Sequence, residues 1–263
     1  MRTLRVIGIG PGNPRQVTVE AIEAMQDVDA FFVLDKATSR GNAAVKESLL
    51  GVRREICDRY IAGEPSRFVE IDDPPRERDP ADYDAAVRRW HSARAERIEQ
   101  ALEAEIGADG IAGVLVWGDP ALYDSTLRIV EEIRAARRLP LRVEVIAGVT
   151  SASALTAAHQ ILANRIGEPI HITTGRRLPA TPAEVAGNQI VMLDADCTFL
   201  QTADPDDHIW WGAYLGTPDE LLIAGRVGEV GERIARTRAL AREQHGWIMD
   251  IYLLRSPQCG SRP

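Results

Sequence analysis

This sequence has few of the residues that build metal centres and disulfide frameworks. Its 263 residues include three cysteines, Cys57, Cys197 and Cys259, widely separated and with no C-x-x-C pair. That spacing argues against a disulfide scaffold and against a zinc site, and leaves structural thiols as the reading. The five histidines, His91, His159, His171, His208 and His245, show neither H-x-x-H nor H-E-x-x-H spacing, so no metal is expected. No apolar run reaches the roughly 18 residues that a membrane span requires. The run at residues 4–9 is a strand candidate, not a signal peptide, so a soluble cytoplasmic protein with no membrane partner is expected. A basic excess is missing as well. The net charge of -8 repels a nucleic-acid backbone unless arginines gather in a patch, so no nucleic-acid partner is expected. A polyanionic small molecule meets the same repulsion at long range and needs a local basic pocket.

What the sequence does have is the composition of a globular protein, 45% hydrophobic and 27% charged, on a chain long enough for two domains. Five glycine-bearing turns punctuate it. They are Gly8-Ile9-Gly10-Pro11-Gly12, Trp117-Gly118-Asp119-Pro120, Ala147-Gly148-Val149-Thr150-Ser151, Thr174-Gly175-Arg176-Arg177 and Trp211-Gly212-Ala213-Tyr214-Leu215-Gly216. A strand that ends in glycine lets backbone amides approach a ligand closely, and a helix start behind it offers unpaired N–H groups.

The apolar patterning predicts strands at 4–9, 30–34, Ile111–Val116 and 143–146, with helices at 17–26 and from Pro80 to about Ile106. Asp119-Pro120 is expected to cap a further helix with Leu122, Ile129, Val130 and Ile133 on one face. The charge- and proline-dense stretch 53–82 is expected to be a surface excursion. Residues 1–147 are thus expected to form an α/β domain with a mostly parallel sheet of about five strands. From 148 to 263 the texture changes to an Ala-rich helix at 150–162, strands at 170–173, 190–193, 209–214, 221–224 and 248–254, and one long helix at 230–244. That ratio predicts a mixed sheet with hairpins, and an interdomain cleft.

Gly8-Ile9-Gly10-Pro11-Gly12 departs from the dinucleotide fingerprint, because its third glycine comes one position early and Pro11 removes a phosphate-binding N–H. Asp35 still ends the second strand, where a ribose-binding acid would sit, so a nicotinamide enzyme stays an alternative. Gly10, Pro11 and Gly12 either line a substrate cleft or form a tight turn without ligand contact. Thr150-Ser151 reads alone as a helix cap, but the strands ending at Trp117 and Ile146 are expected to be neighbours, which would point both turns into one crevice. Lys36, Arg40, Arg165, Arg176 and Arg177 are the candidates to meet substrate carboxylates. His159 and His171 are expected to be structural.

These turns, in this order, resemble those of the tetrapyrrole methylase family, and the resemblance spans nearly the whole chain. Four longer stretches, 116–126, 172–178, 211–220 and 245–255, resemble the branch of the family that serves cobalamin synthesis. The resemblance implies two α/β domains and methyl transfer from S-adenosylmethionine (SAM) to a porphyrin-like ring. It further implies a homodimer and cofactor contacts at Trp117, Gly118, Asp119, Leu122, Thr150 and Ser151, then at Met192, Leu193, Leu215 and Gly225. Asn13, in place of an acidic residue, and Ala147, in place of proline, depart from the family pattern. If the reaction also releases an acyl group, Asp35 is the catalytic candidate to activate water. A sister methylase acting at another ring carbon and a nucleotide-binding module without turnover remain alternatives.

Overall fold

A computed structural model describes residues 1–35, 43–63, 65–75 and 82–257. The chain divides into two compact units, Met1–Thr150 and Ser151–Pro263.

The first unit runs β1 (Arg2–Gly8), α1 (Val19–Met25), β2 (Ala30–Asp35), α2 (Ala43–Tyr60), β3 (Phe68–Asp72), α3 (Tyr83–Glu105), β4 (Ile111–Val116), α4 (Thr126–Ala136) and β5 (Leu141–Ile146). Its five strands lie in the order β3-β2-β4-β1-β5, all parallel. Side chains alternate between the two faces of a strand, so β1 feeds two cores. Leu4 and Val6 pack with Ile98 and Leu102 of α3 and Ile129 and Ile133 of α4. Ile7 and Ile9 pack with Met25 of α1 and Ile56 and Cys57 of α2. Helices on both faces explain why β2 and β4 read as nearly unbroken apolar runs, while β1 carries one charge, Arg5, paired with Glu144 and Asp27. The starts of α1 and α3 are set by side-chain caps, with Thr18 accepting from the Ala21 amide at 3.1 Å and Asp82 from the Ala85 amide at 2.9 Å.

Three expectations are corrected here. The stretch 53–82 is not a surface excursion over its whole length, since Arg53 to Tyr60 complete α2 and Phe68–Asp72 is the edge strand β3. An edge strand pairs on one side only, which is why it accommodates Glu70 and Asp72. The next charge, Asp73, is buried and receives a two-point contact from Arg94 of α3 at 2.6 and 2.5 Å. Secondly, the helix behind Asp119-Pro120 starts seven residues later, at Thr126. Asp119 Oδ1 instead accepts from the Ala121 amide at 2.8 Å, and the chain turns through Tyr123 in the left-handed region at φ 55°. Thirdly, β4 and β5 are not neighbours, because β1 lies between them.

The second unit runs α5 (Ser151–His159), β6 (His171–Thr174), β7 (Asn188–Met192), α6 (Phe199–Thr202), β8 (His208–Ala213), β9 (Leu221–Arg226), α7 (Val227–His245) and β10 (Asp250–Arg255). Its sheet has the order β6-β7-β10-β8-β9, parallel between β6 and β7 and antiparallel elsewhere. Trp211, Tyr252 and Phe199 pack with Ile234 of α7 on one face. Ile190, Ile251 and Leu253 pack with Ala154 and Leu155 of α5 on the other. Helix α5 is shorter than expected because Gln160 turns left-handed at φ 56°.

Candidate active site

In the first unit, three strand ends meet backbone to backbone. A Cβ on Gly8 would lie 2.6 Å from the Gly148 nitrogen and 2.9 Å from the Gly118 carbonyl, and one on Gly148 would lie 2.1 Å from that same carbonyl. The turns after β4 and β5 therefore close over the end of β1, which is possible only while Gly8 and Gly148 lack side chains. Gly10 and Gly118 exchange amide-to-carbonyl bonds of 3.2 and 2.9 Å, and Gly118 has φ 66°. Asp119 ties the arrangement together, since its Oδ2 accepts from the Gly148 amide at 2.9 Å. Both of its oxygens thus serve backbone N–H groups, and Asp119 acts as a loop brace. The structure brings together Gly10, Trp117, Gly118 and Asp119 with the 148–150 turn, at the carboxyl ends of parallel strands where open sheets bind ligands. Pro11 and Gly12 are buried beside Gly10. The Leu122 amide bonds back to the Asp119 carbonyl at 3.2 Å within the following turn.

Asp35 ends β2 opposite Asp72; its side chain, and Lys36 and Arg40 entirely, lie outside the described residues. A cation absent from the sequence candidates does reach this region. Arg53 of α2 donates from Nε to the Leu115 carbonyl at 3.2 Å and lies 5.5 Å from the centre of the Trp117 ring. Burial holds its pKa down, to about 10, against the restoring charge of Asp124. The signal that could have revealed it is its place in an apolar stripe with Leu50 and Cys57, legible only once α2 is known to be a helix.

In the second unit, β6, β7 and β8 end on one edge of the sheet, because Thr174 pairs with Met192 while Ile251 pairs with both Met192 and Gly212. This edge gathers Met192, Leu193 and Leu215 with exposed Arg176 and Arg177. Leu193 is 66% exposed and left-handed at φ 55°. Leu215 is buried among Ala154, Leu155 and Ile190, so only its backbone is available to a ligand. Two candidates are not brought to this edge. Gly225 pairs with Ile209, four residues along β9 from Leu221 at the edge, or about 13 Å. Its φ of 155° and the Val230 methyl 2.7 Å from a would-be Cβ tie it to α7 packing. Arg165 is bound to Glu168 at 3.3 Å and to the Ser256 carbonyl, beyond the far end of β10.

Buried polar groups hold the edge in shape. Asp194 accepts from the Thr198 amide at 2.8 Å, the Thr198 hydroxyl at 2.8 Å and the Tyr252 hydroxyl at 2.7 Å. Its Oδ1 fills the space a Cβ on Gly175 would need, at 2.3 Å. Asp250 accepts from Arg238 at 2.9 Å and from the Trp211 indole at 3.1 Å, while Arg238 also donates to the Ala195 carbonyl at 3.1 Å. Burial raises the Asp250 carboxyl above its ordinary value, with Arg238 opposing. His159, bonded to the Trp211 carbonyl at 3.0 Å, is structural.

The profile of the Tetrapyrrole (Corrin/Porphyrin) Methylases matches residues 3–231. The chain belongs to the tetrapyrrole methylases. This methylase is 48% identical over 255 residues to "Precorrin-6A synthase [deacetylating]" of a Sinorhizobium species, an alignment covering 97% of this chain and 95% of the relative. A cobalamin synthesis related protein (CobF) of Corynebacterium diphtheriae has a superposable crystal structure, with a TM-score of 0.81 at 43% identity over 97% of this chain and 98% of the other. A uroporphyrin-III C-methyltransferase of Thermus thermophilus, complexed with S-adenyl homocysteine, shares the fold at a TM-score of 0.56 and 15% identity, over 96% and 92% of the two chains.

The methylase's first-unit cradle suits a polar nucleoside. Its closely approached backbone is lined by glycine, and Trp117 supplies an aromatic face. Among the described residues no helix is long and apolar enough to cross a membrane.

Proposed function

We infer that this methylase is a SAM-dependent C-methyltransferase of cobalamin biosynthesis that methylates precorrin-5 at C1 and releases acetate, giving precorrin-6A. The observation that carries the reading is the 48% identity to precorrin-6A synthase [deacetylating], running through nearly the full length of both chains. SAM supplies, when bound, an electrophilic methyl group on a cationic sulfonium. Trp117, Gly118, Asp119, Leu122, Thr150 and Ser151 are the residues proposed to hold it, Asp119 by bracing the loops and Gly118 through its backbone. Met192, Leu193 and the Leu215 backbone are the second unit's candidates for the same cofactor. Gly10, Pro11 and Gly12, with Lys36, Arg40, Arg176 and Arg177, are proposed to receive the tetrapyrrole. Fixing the pair in contact and excluding water accounts for most of the acceleration in this reading, because charge on the donor is lost as the methyl moves. Asp35, at the carboxyl end of β2, is proposed to take a proton from the water that removes the acetyl group as acetate. A homodimer in the cytoplasm completes the proposal.

The test is incubation with precorrin-5 and SAM carrying a ¹³C-methyl group, followed by NMR and mass spectrometry. Label at C1 with one acetate released per turnover is the expected result. Label at another ring carbon would make the chain a sister methyltransferase, and SAM binding without turnover would make it a nucleotide-binding module. In Asp35→Asn, acetate release is expected to slow by at least about 100-fold; unchanged release removes Asp35 from the mechanism.

A further inference from the structure

Among the described residues four buried side-chain oxygens have no hydrogen-bond partner. Two of them, Thr181 Oγ1 and Gln189 Oε1, belong to residues that line one partly open cavity of about 290 Å³ in the second unit. That size is at the lower end of small-molecule sites, which run to about 1,000 Å³. Its polar lining is completed by Thr202, Asp207 and Ser256, and among the described residues no Lys, Arg or His lines it. Gln189 pairs with Leu254 and stands three residues, or about 10 Å, along β7 from Met192. A buried polar atom left without a partner costs free energy until water or a ligand supplies one.

Gln189 and Asp207 are both more than nine-tenths buried. Gln189 Nε2 donates to the Ala186 carbonyl at 3.3 Å. That bond fixes which end of the amide is nitrogen and leaves Oε1, which can only accept. Asp207 Oδ2 accepts from the Asp204 amide at 3.0 Å, closing the turn before β8, and among the described residues the carboxylate forms no ion pair. Burial holds this carboxyl above its ordinary value; the Asp204 amide opposes the rise, and the charges of Asp204 and Asp206 add to it. Ordered water satisfies an orphaned oxygen, whereas only a positive charge offsets a buried carboxylate. A bare metal ion fills little of the cavity. An ammonium group brings both the charge and three N–H donors.

We propose that this cavity is a binding site for a small molecule bearing a primary ammonium group, with Asp207 meeting the charge and Gln189 Oε1 and Thr181 Oγ1 accepting from the N–H groups. The site goes beyond the methyl-transfer reading and does not depend on it. Charge-assisted bonds to the Asp207 carboxylate supply most of the affinity, and the two orphaned oxygens select for N–H donors over charge alone.

Saturation-transfer NMR titrations of the full chain test this with three probes. Propylammonium carries the charge and the N–H donors, tetramethylammonium the charge alone, and 1-propanol no charge. The wild type is expected to bind propylammonium at least about tenfold more tightly than either of the others. Asp207→Asn keeps an oxygen for the Asp204 amide and removes the charge, and should weaken propylammonium binding at least about tenfold. Gln189→Leu should weaken it about threefold while unfolding in urea no earlier than the wild type, because it removes an orphaned acceptor. Equal affinity for tetramethylammonium, or propylammonium binding unchanged in Asp207→Asn, would overturn the proposal. Saturation transfer to none of the three would overturn it too and leave the cavity to water. If Asp207→Asn does not fold, the comparison of Gln189→Leu with the wild type in the same titration decides. None of these readouts uses turnover, so their failure leaves the methyltransferase reading standing, and failure of that reading leaves this site standing.

Discussion

The two units shape their strand ends by opposite means. In the first, Gly8, Gly118 and Gly148 bring three backbones within contact, and what makes this possible is missing side chains. In the second, the loops after β6 and β7 are held from behind by buried side chains, with Asp194 tying Thr198 to Tyr252, and Asp250 tying Arg238 to Trp211. Gly175 is the point of contact between the two strategies, since it is glycine in order to make room for a carboxylate. A backbone cradle resists any added atom, whereas a polar network resists the loss of any one partner. The first suits turns that close on one another backbone to backbone, the second suits loops that hold strained turns such as Leu193.

Substitutions can break or sharpen this contrast. The largest effect is expected from Gly148→Ala, whose methyl would sit 2.1 Å from the Gly118 carbonyl and 2.9 Å from the Gly8 backbone, with no flexible side chain to yield. The expected cost exceeds about 4 kcal/mol or prevents folding, read from urea denaturation. A loss under about 1 kcal/mol would show that the turns are free to separate. Next comes Asp250→Ala in the second unit, which leaves Arg238 buried without its partner and is expected to cost about 3–5 kcal/mol in the same assay. If it costs less than about 1 kcal/mol, the network is not what holds that edge. The smallest effect, and of opposite sign, is expected from Gly51→Ala. Within α2 nothing lies within 4 Å of its would-be Cβ, so the change should stabilise by up to about 1 kcal/mol. A destabilisation there would show that intolerance to a methyl in the first unit reaches beyond the converging turns.

Much of the architecture was legible in the sequence, and the exceptions share a cause. The strands β1, β2 and β4 announce themselves as largely apolar runs because both of their faces are covered, and β5, at the other edge of the sheet, shows through Val143, Val145 and Ile146 although Arg142 and Glu144 interrupt it. The edge strand β3 does not, because Phe68-Val69-Glu70-Ile71-Asp72 carries the charge an edge tolerates, and the Arg94 that neutralises Asp73 comes from 21 residues away. Asp119-Pro120 reads locally as a helix cap, yet the Asp119 carboxylate bonds to an amide 29 residues on. Among the candidate residues, Gly225 and Arg165 were suggested by position along the chain, and the register of β9 and the bond to Ser256 place them away from Met192 and Leu193. Arg53 was missed because the helix that presents it was not anticipated.

By itself the sequence determined most of the strands, several of the helices and where the chain turns on glycine, because those depend on side-chain periodicity and on φ preferences within a few residues. It also determined, through turns kept in order, the family to which the chain belongs. Only the tertiary structure decided that β1 separates β4 from β5, that three glycines share one crowded point, and that a cation from α2 lies over Trp117. Each of those depends on strand order and on contacts between residues far apart in sequence, which no local pattern encodes.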